Sequence, residues 1–390
     1  MKEIVISHMD TTPLDLADFE SVARVKVRHH LMQWAKAWGE LMPIALFNQG
    51  PDLSEIGNTW LGSLCSMNAL RPFTPAEIEK IDAPQAFLPA VWKTGRLPND
   101  ENIYGIPFTT DTRLLLYRRD LLARCGIDEN TAFRTTDQMY ETLACLQSAG
   151  VEIPWLVSTV DEIHHFVASW IWGAGGDFHE PDSTHLSLTD PRTIEGIYQF
   201  YRLHRFIPPQ ARNLSVTECD QLFRNGGAAV VYTIHGTIDN ISRYKTPALP
   251  EEIIGAAKVP GVSFVGGSQF VVWKHSLIES SAFELIRYLT SVSYQSALFR
   301  TGGNLPVLAE VLSEEPYKSH PLYKVSFESL QTGRAIQSVP RWAAVETRIS
   351  IMLQQLWQVI FDNPDLDLRA EIVRCVTEVS DRLENTILSA

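Results

Sequence analysis

Two spacings alternate along the chain. Apolar residues three and four apart mark amphipathic helices. Trp34, Ala37, Trp38 and Leu41 place one over residues 32–46, and Phe283, Ile286 and Leu289 place another over 279–300, closed by Gly302-Gly303. Helices are also expected over 15–22, 136–149, 161–172, 343–361 and 366–388. Between them lie short β-branched or apolar runs at 2–7, 22–29, 52–56, 153–157, 228–234, 253–259 and 270–273, which read as strands. Leu114-Leu115-Leu116-Tyr117 is apolar without alternation, as in a strand covered on both faces. Strands and helices take turns, so the class is α/β.

Three extended, proline- or glycine-marked stretches interrupt this order, near Thr109, at 259–261 and at 303–306. Read as crossings between two bodies, they give discontinuous lobes: 1–109 with 262–304, and 110–261 with 305–390. Such a topology favours hinge closure over a ligand held between the lobes. Thr109, Thr110, Asp111 and Arg113 are polar just ahead of the apolar run, where a loop and cleft are expected.

A length of 390 residues suits two or three cores. The net charge of −13 argues against a phosphate-binding surface and so against a nucleic-acid partner. Five widely spaced cysteines without a CxxC pair argue against a disulfide framework or a zinc knuckle. No apolar run approaches the roughly 18 residues of a membrane span. The opening MKEIVISHMD has no basic stretch followed by an apolar core, so the chain as written is expected to be cytoplasmic.

The familiar catalytic signatures GxxxxGK[ST], HExxH and GxSxG are absent, and Gly173-Ala174-Gly175-Gly176 lacks dinucleotide-binding spacing. No cofactor is called for. Asp161 and His165, four apart on an expected helix, could supply two metal ligands, but a solvated acidic helix start accounts for them more simply, and no metal is assigned. The loops leaving the carboxyl ends of strands carry more, because ligands of open α/β sheets sit there. They hold His8-Met9-Asp10, Asn58-Thr59-Trp60, Thr110-Asp111, Trp172 with Asp177, Tyr232 with His235, Gly267-Ser268, and Trp342. Aromatic faces that stack on C–H patches, with carboxylates and amides for hydroxyls, suit a sugar. The alternative for any one of these tryptophans is core packing.

YGIPFTTDTRLLLYRRDLL resembles the first hinge crossing of the family 1 extracellular solute-binding proteins, the sugar-binding components of ABC importers. GPDLSEIGNTWLGSL, LFRNGGAAVVYTIHG, KVPGVSFVGGSQFVVWKHS and AFELIRYLTSVSYQSALFRTGGNLPV continue the likeness in order, and Trp342 in SVPRWAAVETRIS lies where several members place a stacking aromatic. Thr237-Ile238 stands where the family has an aromatic after the glycine. The family normally carries a secretion signal or lipid-anchor cysteine. The resemblance implies a two-lobed type II periplasmic-binding-protein fold and a monomer. It implies capture of a mono- or oligosaccharide for an ABC permease, with no catalysis. The ligand residues it implies are Asn58, Thr59, Trp60, Asp111, Tyr232, His235, Gly267, Ser268 and Trp342, to which strand-end position adds Asp10 and Trp172. Two alternatives stand beside it: a cytoplasmic sensor of the same fold that reports to a protein partner, and an enzyme with Asp111 and His235 as acid and base.

Overall fold

The computed structural model describes residues 2–81, 85–180, 185–300 and 303–384. Its strands are β1 (Lys2–Met9), β2 (Val25–Met32), β3 (Leu53–Gly57), β4 (Gly105–Arg118), β5 (Trp155–Val157), β6 (Val230–Ile234), β7 (Ile254–Ala257), β8 (Val265–Val272) and β9 (Leu305–Pro306). The chain divides into two compact units. The first is Met1–Asp111, Val265–Lys318 and Ala335–Ala343; the second is Thr112–Phe264, Ser319–Arg334 and Ala344–Ala390.

In the first unit the strand order is β2-β1-β3-β8-β4, with β9 on β4. β1 runs parallel to β2 (Lys2↔Val25 to Met9↔Met32) and to β3 (Ile6↔Leu53). β8 returns antiparallel to β3 (Gly57↔Ser268). Parallel strands need both faces covered. The helix Trp34–Phe47 covers one with Ala37, Leu41 and Ala45, which pack with Met9, Ile56, Leu61, Leu64 and Trp273 into one apolar cluster.

The second unit pairs the other half of β4 antiparallel with β6 (Arg113↔Ile234 to Tyr117↔Val230) and with β7, and sets β5 parallel to β6. Its core is aromatic: Trp357 lies against Tyr201 (ring centroids 4.4 Å apart) and Phe200 (5.6 Å), and all three are buried.

Several sequence expectations give way here. Thr109–Arg113 is no loop, because β4 is one continuous strand through it. Threonine suits a pleated strand, and each hydroxyl is satisfied there: Thr109 by Ser268 (2.8 Å), Thr110 by Gly266 O (2.9 Å), Thr112 by Phe264 O (2.7 Å). Gly266–Gln269 likewise lies inside β8 instead of preceding a strand. Val22 belongs to the helix Ala17–Ala23, 85% exposed, so the strand expected at 22–29 begins only at Val25. The helix expected over 279–300 is two, Glu279–Leu289 and Val292–Phe299, because Ser291 caps a new start by accepting from the Tyr294 N–H. Gly302, named as its stop, lies outside the described residues.

The third crossing is also displaced. β9 pairs with Thr109 and Thr110 of the first unit, and the Val307 N–H donates to Gln295 Oε1 (3.1 Å). The chain therefore stays in the first unit until Lys318 and comes back to it for Ala335–Ala343. Residues 110–111, 305–318 and 335–343, expected in the second lobe, fall in the first unit; residues 262–264, expected in the first, fall in the second.

Candidate functional site

In the first unit β3 ends at Gly57, and Asn58–Trp60 forms a single 3-10 turn directly after it. Asn58 is 4% exposed, yet neither its Oδ1 nor its Nδ2 has a hydrogen-bond partner among the described residues. A buried amide left so costs about 1–3 kcal/mol, so such a group is rare without a task. Beside it the Trp60 ring lies 5.8 Å from Trp34 and 5.7 Å from Trp38, both on the helix Trp34–Phe47. Trp34 is 37% exposed, and its Nε1 donates to Thr11 Oγ1 (3.2 Å), in the loop after β1 that also carries the exposed Asp10.

A distant segment is pinned onto this turn. Ser338 Oγ donates to Thr59 O (2.7 Å) and accepts from the Gly62 N–H (2.8 Å), while the Ala343 N–H donates to Ser63 Oγ (3.1 Å). A Cβ on Gly62 would stand 2.1 Å from Val339 O, so only glycine admits the approach. This docking sets Trp342, expected as a stacking platform and 1% exposed, on the segment that packs against Thr59, Gly62 and Ser63 within one unit.

The remaining expected residues of this unit are placed otherwise. Ser268 is fully buried and donates to Glu55 Oε1 (2.5 Å), and the Met9 N–H donates to Glu55 Oε2 (2.8 Å). Burial pushes the Glu55 carboxyl up to about 7, against the pull of those two hydrogen bonds. Gly267 (φ +134°) serves packing, since a Cβ there would meet Thr109 O at 2.1 Å. Asp111 is half-buried at the last position of the first unit.

The second unit corrects two assignments outright. Tyr232, expected as a stacking platform, is 1% exposed. Its ring lies between Trp155 (6.2 Å) and Phe166 (4.9 Å), and its hydroxyl reaches Phe166 O (3.1 Å) and Ser169 Oγ (3.2 Å). It is a core residue, because both its ring and its hydroxyl are engaged by buried partners. His235 is also 1% exposed, with Nδ1 2.8 Å from Ser326 Oγ and its ring 5.2 Å from Tyr323. Trp172 has one face stacked on Phe264 (6.3 Å, 6°) and the Arg334 guanidinium 5.0 Å from its ring. Its Nε1 donates to Asp177 Oδ1 (3.0 Å), and Arg334 pairs with the same carboxylate.

Sequence reasoning missed Trp34 and Trp38 as neighbours of the turn. Their helical spacing was legible, and it pointed to core packing. It also misplaced Asp161, which precedes the helix Ile163–Gly173 and accepts from the Val216 N–H (3.2 Å), so it shares no helical face with His165. A cavity of about 650 Å³ in the second unit is lined by Lys245, Glu251, His320 and Pro321 among others. No tryptophan, tyrosine or phenylalanine lines it and none of the expected residues reaches it, so it suits stacking poorly. Among the described residues no helix is long and apolar enough to cross a membrane.

Comparison with known proteins agrees with this architecture. Over 98% of both chains the structure superposes on the sugar-binding protein MalE of Xanthomonas citri with a TM-score of 0.83 at 19% identity. Against maltose-bound MalE3 of T. maritima the TM-score is 0.80 at 18% identity, covering 98% of this chain and all of that one. In sequence, the diacetylchitobiose-binding protein DasA of Streptomyces coelicolor is 23% identical over 355 residues, 87% of this chain and 80% of its own. The maltotriose-binding protein of Pyrococcus abyssi is 23% identical over 310 residues, 76% of this chain and 63% of its own. The family model for bacterial extracellular solute-binding proteins matches residues 16–325. With the MalE-like architecture and a match over most of its length, the chain belongs to the bacterial extracellular solute-binding protein family.

Proposed function

We propose that this protein captures a carbohydrate, a mono- or oligosaccharide, and hands it as a monomer to the permease of an ABC importer without altering it. The observation that carries this reading is the Asn58 amide, buried and unsatisfied, next to the Trp60, Trp34 and Trp38 rings. Sugars present that demand in reverse: hydroxyls to pair with an amide and flat C–H faces to lie on an indole. The relatives' names, binders of diacetylchitobiose, maltotriose and maltose, support the same ligand class. Closure by population shift, as the chain's repeated passage between two bodies suggests, would couple capture to delivery.

Thermal unfolding against a panel of mono- and oligosaccharides tests the proposal. A true ligand at 100 times its Kd raises stability by about 2.7 kcal/mol. Trp60→Ala should lose most of that shift while the unliganded variant still unfolds cooperatively. A panel without any shift, or a full shift in Trp60→Ala, would remove the sugar or the indole from the reading. Chromatography of the released ligand should return it unchanged; a converted product would reveal an enzyme instead.

A further inference from the structure

Within the second unit, three donors from distant parts of the sequence converge. His164 and His165 open the helix Ile163–Gly173, and Glu346 stands one turn into the helix Trp342–Asp362. One ligand atom from each lies within 4.8 Å of the other two. His164 Nε2 is 2.6 Å from Glu346 Oε1, and His165 Nε2 is 3.6 Å from the same oxygen. We propose that His164, His165 and Glu346 form a divalent transition-metal site of the zinc class, clamping these two helices of the second unit.

The donor chemistry fits, since two imidazole nitrogens and one carboxylate oxygen are an ordinary zinc set with a fourth position open. The separate evidence is His165. Its Nε2 is buried and has no hydrogen-bond partner among the described residues, because 3.6 Å to Glu346 is too long for one. A cation at Nε2 resolves that deficit once the ring proton sits on Nδ1.

The partner of the other His164 nitrogen fits as well. His164 Nδ1 lies 2.6 Å from Ser350 Oγ, a hydroxyl able to accept as readily as it donates, so the ring can carry its proton on Nδ1 and leave Nε2 free. Glu162 Oε2 stands 3.7 Å from His165 Nδ1, an ion-pair distance beyond hydrogen-bond reach. Arg113 is the adverse neighbour: its Nη2, 3.4 Å from His165 Nδ1, can only donate, so the metal-free ring carries its proton on Nε2. Metal binding must shift that proton to Nδ1 while Arg113 stays on Glu162 at 2.5 Å. Two carboxylates, Glu162 and Glu346, face one guanidinium in this group.

This proposal is independent of the carbohydrate reading. Isothermal titration of zinc into the full, chelator-treated chain should show one site that His165→Gln weakens by at least about tenfold. Wild type and variant share Cys65, Cys125, Cys145, Cys219 and Cys375, all free thiols, so thiol binding cancels in the difference. Equal zinc affinity in the two proteins would overturn the site. Should His165→Gln fail to fold, zinc-soaked wild-type crystals decide it: an anomalous peak within bonding distance of His164, His165 and Glu346 supports the site, and none there refutes it.

Discussion

The strand ends of the two units look alike in sequence and differ in what their polar groups lack. After β3 of the first unit, Asn58 is buried with both ends of its amide unsatisfied. After β6 of the second, His235 is equally buried but bonded to Ser326, and Tyr232 within the strand has both a ring sandwich and a hydroxyl partner. Position at the carboxyl end of a strand is therefore a weak criterion by itself. The sharper one is whether the side chain's hydrogen-bonding capacity is already used. By that measure Asn58, of these strand-end residues, is the one that leaves a polar guest something to satisfy.

Replacing Tyr232 by alanine should have the largest effect on folding. Removing a fully buried aromatic costs about 3–5 kcal/mol, read as a lowered urea midpoint with an unchanged slope. Any ligand shift, measured below the lowered midpoint, should persist. A loss under 1 kcal/mol, or a ligand shift that vanishes in a folded variant, would return Tyr232 to the binding surface and erase the contrast.

Glu55 comes next. Its folded carboxyl is raised from 4.5 to about 7, so the folded state holds a proton that the unfolded chain releases. Below about pH 4.5 both states are protonated and the native state loses nothing. Between 4.5 and 7 stability falls as pH rises, by about 3 kcal/mol in total, and above 7 the penalty is constant. Glu55→Gln keeps an acceptor for the Met9 N–H and carries no charge, so its difference from wild type should grow across that window and then level off. Denaturant titrations at pH 4.5, 6 and 8 check this, and a flat difference would mean that Glu55 is solvated.

The α/β class and the order of the elements were legible because hydrophobic periodicity is local. The apolar half of β4 was legible for the same reason, since Leu114–Tyr117 has no polar face. Less legible was anything fixed by contacts distant in sequence. That Thr109, Thr110 and Thr112 are strand residues depends on Ser268, Gly266 and Phe264, more than 150 positions away. The return of residues 335–343 to the first unit rests on Ser338 reaching Thr59 and Gly62. Asn58, Thr59, Trp60 and Trp342 enter the candidate site from strand-end position and family likeness, whereas Glu346 as the partner of His164 lies 182 residues off and left no local trace.

The smallest expected change is the most pointed. An unsatisfied buried amide is a standing cost, so Asn58→Leu, close in size and without polar atoms, should stabilise the unliganded protein by about 1–2 kcal/mol. Proteins keep such costs where function needs the group, and the gain in stability should come with a loss of sugar-induced stabilisation. A thermal scan with and without ligand reads both at once. A lower midpoint for unliganded Asn58→Leu would show that the amide is satisfied in the native state, and the distinction between the two strand ends would then rest on the indoles alone.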